Sequence, residues 1–490
     1  MITIDREFSK RLGNAALLKA PSVWNALGHK ATTTFAVENP ATCEQIAHVP
    51  DFSRAAIKSA IDVARTAQKS WSRLTAKDRA DRLKRRFGLW HDNLEDLALI
   101  LTMEQGKPLA EARGEIRYGA SYVEWFAEEA RRLYGDIIPA PVANQKIMVT
   151  RHPVGVVAAI TPWNFPNAMM ARKVAPALAA GCAIVAKPAA ETPLSTIAIA
   201  NLAEQAGIPV ELFCVLPMTD APAFGDEVTS NPYVAKITFT GSTEVGRRLM
   251  EQGARQIKRF GLELGGNAPL IVFDDADLEK AIEGTIAAKF RNAGQTCVCA
   301  NRIYVQSGIH DRFVQALSDR VETLTVGNGA DPATAIGPLI NPASIKKVER
   351  LLEDARTNGA KIIKGGQPVD RPGHFFRPTI ISDVDCRMAI AREEIFGPVA
   401  PIFRFETEKE VLDLANDTEF GLAAYVFSSD IGCIFRVAEE LETGMVGMNT
   451  GVISTEVAPF GGVKQSGLGR EGSKYGLDDY IELKYICLAT

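Results

Sequence analysis

The rhythm of apolar and polar positions changes twice along this chain. Over residues 55–135 apolar side chains recur at three- and four-residue spacing among Lys, Arg, Asp and Glu, the period of helices with one buried stripe. Pro139 and Pro141 break that period, and residues 146–150 read as an extended ribbon. From Arg151, short apolar runs at 154–160, 183–186, 212–216 and 236–239 alternate with helical stretches at 168–180, 195–206 and 242–253. Strand followed by helix, repeated, predicts a parallel sheet covered on both faces. A second series begins at Leu262 and runs through 268–273, 277–291 and 303–305, while residues 479–487 alternate as a strand does. The pattern predicts an α/β protein of two α/β domains with a small extra β element.

Composition narrows what such a chain does. Its 490 residues are enough for about three domains with ample core. With 55 Lys+Arg against 59 Asp+Glu and no long basic run, nothing favours nucleic acid as a partner. The densest apolar run, 175–186, is broken by Pro176 and Gly181, so no membrane span is expected. Residues 1–7 carry acids early and lack an apolar core, unlike a signal or transit peptide. Eight scattered cysteines read as reduced thiols of a cytoplasmic protein. The histidines (His29, His48, His91, His152, His310 and His374) form no paired ligand spacing, and no metal is expected.

Two glycine motifs mislead. Gly241 to Gly246 has the glycine spacing of a phosphate loop, but Arg247-Arg248 stands where Lys-Ser/Thr is required. The element still follows a strand and opens a helix, so its N–H groups can face a pyrophosphate. Gly467-Leu-Gly469-Arg-Glu-Gly472 matches a dinucleotide fingerprint by spacing alone and reads as a turn. Three other segments carry chemistry. Cys297 lies among small and polar neighbours in Asn292-Ala-Gly-Gln-Thr-Cys297-Val-Cys299. Asn164, in Thr161-Pro-Trp163-Asn164-Phe-Pro, follows a strand and precedes a helix, where its amide can meet developing charge. Glu263-Leu-Gly-Gly266 sets a carboxylate on a turn, where burial holds its pKa near working pH. Glu394-Ile-Phe396-Gly-Pro398 adds a second carboxylate.

These segments, with Lys187-Pro188, Phe239-Thr-Gly-Ser242, Pro459-Phe-Gly-Gly462 and Ser466-Gly-Leu-Gly-Arg-Glu471, resemble the aldehyde dehydrogenase superfamily over essentially the whole chain. The stretches 290–301, 448–454 and 461–475 are similar to its succinate-semialdehyde-oxidising branch. The resemblance implies a Rossmann-like cofactor-binding domain at 1–134 and 151–262 and a catalytic domain at 263–471. It also implies a bridging oligomerisation element at 135–150 and 472–490, pairing across a subunit boundary in a homodimer or homotetramer. It makes Cys297 the nucleophile, Asn164 an oxyanion donor and Glu263 the base that hydrolyses a thioester. The cofactor contacts it implies are Trp163, Lys187, Ala190, Gly241, Ser242, Gly246, Glu394 and Phe396.

The same resemblance places a substrate carboxylate at Arg172, Arg291 and Ser454. Guanidinium groups bind a carboxylate in bidentate fashion, so the expected substrate is a small carboxylated aldehyde. Succinate semialdehyde leads and glutarate semialdehyde is the alternative. NAD-preferring relatives carry Glu three residues after the lysine; here that residue is Ala190, with Glu191 next. Loss of that carboxylate implies a preference for NADP, with NAD also accepted. Cys299 is either small packing or, as the resemblance to redox-sensitive relatives suggests, a partner that locks Cys297 as a reducible disulfide.

Overall fold

Four helices answer the first rhythm: Arg54–Trp71, Ala76–Asp92, Leu94–Gln105 and Leu109–Glu129. Their apolar stripes, Ile57, Ile61, Leu83, Trp90, Leu101 and Phe126 among them, are buried in one core. Thr75 starts the second helix by accepting the Asp78 N–H, and Gly106, at φ 95°, stops the third. A computed structural model describes residues 2–28 and 31–489. Met1, Lys30, Thr490 and His29, one of the histidines considered above, lie outside the described residues. Ahead of the helices, Thr3–Ile4, Thr33–Asn39 and Glu44–Asp51 form a small antiparallel sheet that the apolar pattern did not announce.

The second rhythm builds a six-stranded sheet. Its order is Gly467–Leu468, Arg259–Glu263, Val234–Thr240, Val156–Ile160, Ala183–Lys187 and Phe213–Val215. The five strands between residues 156 and 263 are parallel. Val156–Ile160 lies inside the sheet, with the chain continuing to one side at Ala183–Lys187 and to the other at Val234–Thr240. Loops leaving neighbouring strands at such a reversal diverge and open a crevice at the carboxyl ends. Trp163 and Asn164 follow one of these strands, and Gly241 and Ser242 follow the other. A seven-stranded sheet with its own core runs Lys361–Lys364, Thr379–Ser382, Val399–Phe405, Ala300–Gln306, Ala268–Val272, Ala423–Phe427 and Met445–Met448. Of its pairings, that of Lys361–Lys364 with Thr379–Ser382 is antiparallel.

Two stretches depart from the sequence reading. Gly467–Leu468, read as part of a turn within 263–471, pairs antiparallel with Leu262 and Glu263 and extends the first sheet. The turn follows it, at Gly469 (φ 86°) and Gly472 (φ 78°). The C-terminal strand Ile481–Ala489 pairs along its whole length with Gln145–Pro153 of the same chain, and Asp136–Ile138 adds a third strand. The partner expected across a subunit boundary is therefore supplied by the chain itself. Residues 474–480 are a 3-10 helix whose Leu477 and Tyr480 join the first core rather than the ribbon. Among the described residues no helix is long and apolar enough to cross a membrane.

Candidate active site

Cys297 stands where two cavities meet. One, of about 250 Å³, is lined by Trp163, Asn164, Gly241, Ser242, Glu263 and Glu394 with Lys347 and Phe396. The other, of about 260 Å³, is lined by Glu111, Tyr118, Phe165, Arg172, Arg291 and Ser454 with Phe460. Cys297 and Met169 belong to both walls. Burial pushes the Cys297 thiol up to about 12, against the pull of Arg172, and Glu263 and Glu394 add to the rise.

The loop that presents Cys297 is backbone-strained. Asn292, Ala293 and Gly294 have φ of 52°, 56° and 75°, the left-handed region. Gly294 also tolerates no Cβ, which would overlap the Gly397 carbonyl oxygen. The nucleophile loop and the loop carrying Glu394 thus pack backbone on backbone. Gln295 fastens the other side, accepting the Ile340 N–H at 3.0 Å and donating to the Asn292 carbonyl at 3.1 Å.

Asn164 is buried, and its Nδ2 donates to the Gln295 carbonyl at 3.0 Å. An amide has two such hydrogens, so one remains for a ligand. Glu263 ends the strand Arg259–Glu263 and is 3% exposed, with Oε2 lacking a hydrogen-bond partner among the described residues. Burial raises its pKa well above the carboxylate range, and repulsion from Glu471 adds to the rise. Glu394 accepts the Gly266 N–H at 3.2 Å, and burial raises it to about 7.

The first cavity fits a dinucleotide. The helix Thr243–Gly253 begins beside it, just after Gly241 and Ser242 of its wall, and turns its positive dipole end that way. A Cβ at Gly265 would fall 3.2 Å from Glu394 Oε2 and 3.4 Å from Thr243 Oγ1, so glycine keeps that floor open. Trp163 and Phe396 meet edge to face at 5.5 Å and form an aromatic wall. Ser242 is the helix N-cap, accepting the Val245 N–H at 3.4 Å. Gly246 is not in the cavity wall; a Cβ there would strike Leu264, which is, at 2.6 Å, so its glycine lets helix and strand pack closely beneath the cavity. Lys187 ends the inner strand Ala183–Lys187 and half-buried Ala190 follows in the next loop, both outside this cavity's wall, and Glu191 is exposed. Lys187 Nζ donates to the Pro188 carbonyl at 3.2 Å, and burial lowers its pKa.

The two arginines of the second cavity differ. The Arg172 side chain is fully buried, ion-paired to Glu471 at 2.7 Å and stacked on Phe460 at 3.9 Å. Burial alone would lower its pKa, but Glu471 raises it. Lys173 shares that carboxylate at 2.5 Å. Arg291 has a buried Nε without a hydrogen-bond partner among the described residues. Cys299 is buried and lines neither cavity, its thiol donating to the Lys289 carbonyl at 3.3 Å. The sequence reading missed Lys107, Glu111, Glu115 and Glu471, all buried or half-buried polar groups around the site. Among the described residues no group of three or more His, Cys, Asp or Glu is placed to hold a metal.

A thiol between a nucleotide-type crevice and a cation-lined cavity is the arrangement of an oxidoreductase that works through a covalent intermediate. The chain belongs to the aldehyde dehydrogenase family, whose sequence profile matches residues 27–486. Succinate-semialdehyde dehydrogenase [NADP(+)] GabD of Escherichia coli is 56% identical over 452 residues, covering 92% of this chain and 94% of that protein. Glutarate-semialdehyde dehydrogenase of Pseudomonas aeruginosa is 56% identical over 455 residues, covering 93% and 94%. The crystal structure of an aldehyde dehydrogenase from Brucella melitensis biovar abortus superposes with a TM-score of 0.95 at 56% identity, covering 98% and 99%. The protein is an aldehyde dehydrogenase that uses a nicotinamide cofactor.

Proposed function

We propose that this enzyme oxidises succinate semialdehyde to succinate with NADP as its preferred cofactor. The observation that carries the substrate is Arg291, a guanidinium with an unpaired Nε in the same cavity wall as Cys297 and Ser454. A distal carboxylate satisfies that donor with a charge-assisted bond.

The Cys297 thiol gives its proton to solvent water and adds as the thiolate to the aldehyde carbon, giving a thiohemiacetal whose oxyanion takes the spare Asn164 N–H and the Cys297 backbone N–H. The bound cofactor supplies the acceptor for the hydride that leaves this carbon. Glu263, its Oε2 free, then takes a proton from water, which attacks the thioester and releases the acid and the thiol. Glu394 and Ser242 hold the ribose and pyrophosphate ends of the cofactor. Ala190 sets no carboxylate at the position three residues after Lys187, and Glu191, though it acts on Lys187, is exposed, which suits a 2′-phosphate near Lys187. The eight cysteines are all free, in keeping with a cytoplasmic setting. Exposed Ile137, Leu483, Tyr485 and Leu488 on the ribbon sheet suit self-association into a homodimer or homotetramer.

Succinate semialdehyde, glutarate semialdehyde and butanal, each with NADP⁺ and NAD⁺, form the test. We expect the four-carbon acid aldehyde with NADP⁺ to give the highest kcat/KM. The five-carbon acid should follow within about 10–100-fold, the reach of one methylene, and butanal should lie far below. Equal kcat/KM for butanal, or a tenfold advantage for NAD⁺, would overturn the substrate or the cofactor assignment respectively.

A further inference from the structure

Four polar side chains from the turn at Gln105 and the first turns of helix Leu109–Glu129 take no part in the chemistry above. They are Gln105, Lys107, Glu111 and Glu115. The Lys107 and Glu115 side chains are 0% and 1% exposed and 2.6 Å apart. A buried ion pair contributes little net stability over a well-packed apolar pair, so its geometry is where a reason for it lies. Here that geometry converges on one turn. Lys107 Nζ donates to the Asn164 carbonyl at 2.7 Å and sits 3.8 Å over the Phe165 ring. The other Glu115 oxygen accepts the N–H groups of Asn167 at 3.0 Å and Ala168 at 3.2 Å, at the start of helix Pro166–Ala180.

The second pair reaches the nucleophile loop. Glu111 accepts the Asn292 N–H at 2.8 Å, and Gln105 donates to Asn292 Oδ1 at 3.0 Å. Asn292 is the first of the left-handed residues that lead to Cys297, and its Nδ2 returns to the Asn164 carbonyl at 3.1 Å. One short stretch of chain therefore touches both halves of the reaction centre.

We propose that residues 105–115 form its positioning unit. Lys107, held by Glu115, fixes the Asn164 amide against the oxygen of the reacting carbonyl, and Gln105 and Glu111 fix the loop that carries Cys297. The proposal rests on the reading of Cys297 as nucleophile. The halves act on separable properties. Losing Lys107 misplaces an oxyanion donor and slows acylation while leaving the thiol as reactive as before. Losing the Glu111 bond to the Asn292 N–H loosens the loop and disturbs the thiol it carries.

The test compares Lys107→Met, Lys107→Met/Glu115→Gln and Glu111→Ala, which leaves the Asn292 N–H without its acceptor, with wild type. Three quantities are read: the NADPH burst in a single turnover with succinate semialdehyde, the rate of iodoacetamide alkylation at Cys297 followed on its peptide by mass, and the NADP⁺ Kd. Alkylation develops no oxyanion, so it is blind to Asn164. We expect Lys107→Met to lower the burst rate about 100-fold, with alkylation and Kd within about twofold of wild type. Glu111→Ala should change alkylation and burst together. A wild-type burst in Lys107→Met, or alkylation falling in step with it, overturns the proposal. If that variant fails to fold, the double variant, which leaves no unpaired charge, gives the same reading; failure of both to fold assigns the pair to the core and also overturns it. A wild-type protein without any burst would instead sink the function proposed above.

Discussion

The two cavities that share Cys297 are built by opposite rules. The cofactor side is made by short loops leaving neighbouring parallel strands, so one sheet's topology fixes its walls. Its titrating groups, Glu263 and Glu394, are carboxyls that burial holds toward their neutral forms. The substrate side is assembled from two helices and three remote loops, and its strongest charges are the guanidinium groups of Arg172 and Arg291. The thiol thus lies between a wall that holds protons and a wall that holds positive charge. An anionic aldehyde is drawn to one, and the water that ends the reaction is activated on the other.

That division breaks most sharply at the shared residue. Cys297→Ala should lower kcat by at least ~10⁴-fold while NADP⁺ binding, measured by fluorescence titration, stays unchanged. Glu263→Gln, on the cofactor side, should spare the NADPH burst and slow the steady state by about 10²–10³-fold. Because the Glu263 pKa is raised, its basic form grows as pH rises. Wild-type turnover limited by hydrolysis should therefore climb as pH rises above the ordinary carboxylate range, and the variant should lose that climb. A steady state in Glu263→Gln as fast as its burst would remove the base from the scheme.

On the substrate side the two arginines should separate. Arg291→Ala should raise KM for succinate semialdehyde about 10–100-fold, the worth of a charge-assisted bond, with little change for butanal. Arg172→Ala leaves the buried Glu471 carboxylate to Lys173 alone, so its main effect should be a loss of about 1.5–3 kcal/mol in denaturant unfolding. An Arg172 variant as stable as wild type but selectively poor with the acid aldehyde would exchange their roles.

The smallest effect belongs to Glu394. Its folded pKa of about 7 lies above the ordinary 4.5, so the unfolded chain releases the proton first. Stability falls as pH rises from about 4.5 and levels off above about 7. Glu394→Gln keeps an acceptor for the Gly266 N–H and removes this penalty. Discounted for partial exposure, it should be more stable than wild type by on the order of 1–2 kcal/mol at pH 8, and no different near pH 4.5. Equal melting temperatures at pH 8 would place that carboxyl in water.

What the sequence made legible follows the same division. Trp163, Asn164, Gly241, Ser242, Glu263 and Glu394 lie in contiguous motifs at strand ends, where local spacing and wall position coincide. Cys297 and Arg291 share one loop and were equally visible. Glu471, by contrast, lies 298 residues from Lys173, and nothing local in either segment announces their pairing. Lys107, Glu111 and Glu115 have the four-residue spacing of a solvated helix face, and only tertiary packing turns that face inward. The small N-terminal sheet and the edge strand Gly467–Leu468 escaped because two- to eight-residue strands with mixed burial leave too few alternations to count. The ribbon was found, but pattern alone does not say whose strand completes it.

The contact between Gly294 and Gly397 reaches into how such a protein is altered. Neither loop has side-chain slack at that point with which to absorb a change in the other. A nucleophile loop transplanted from a relative has to bring the 394–398 loop with it, and a library that randomises one alone should return mostly dead clones. In this part of the molecule the unit of inheritance is the pair of loops.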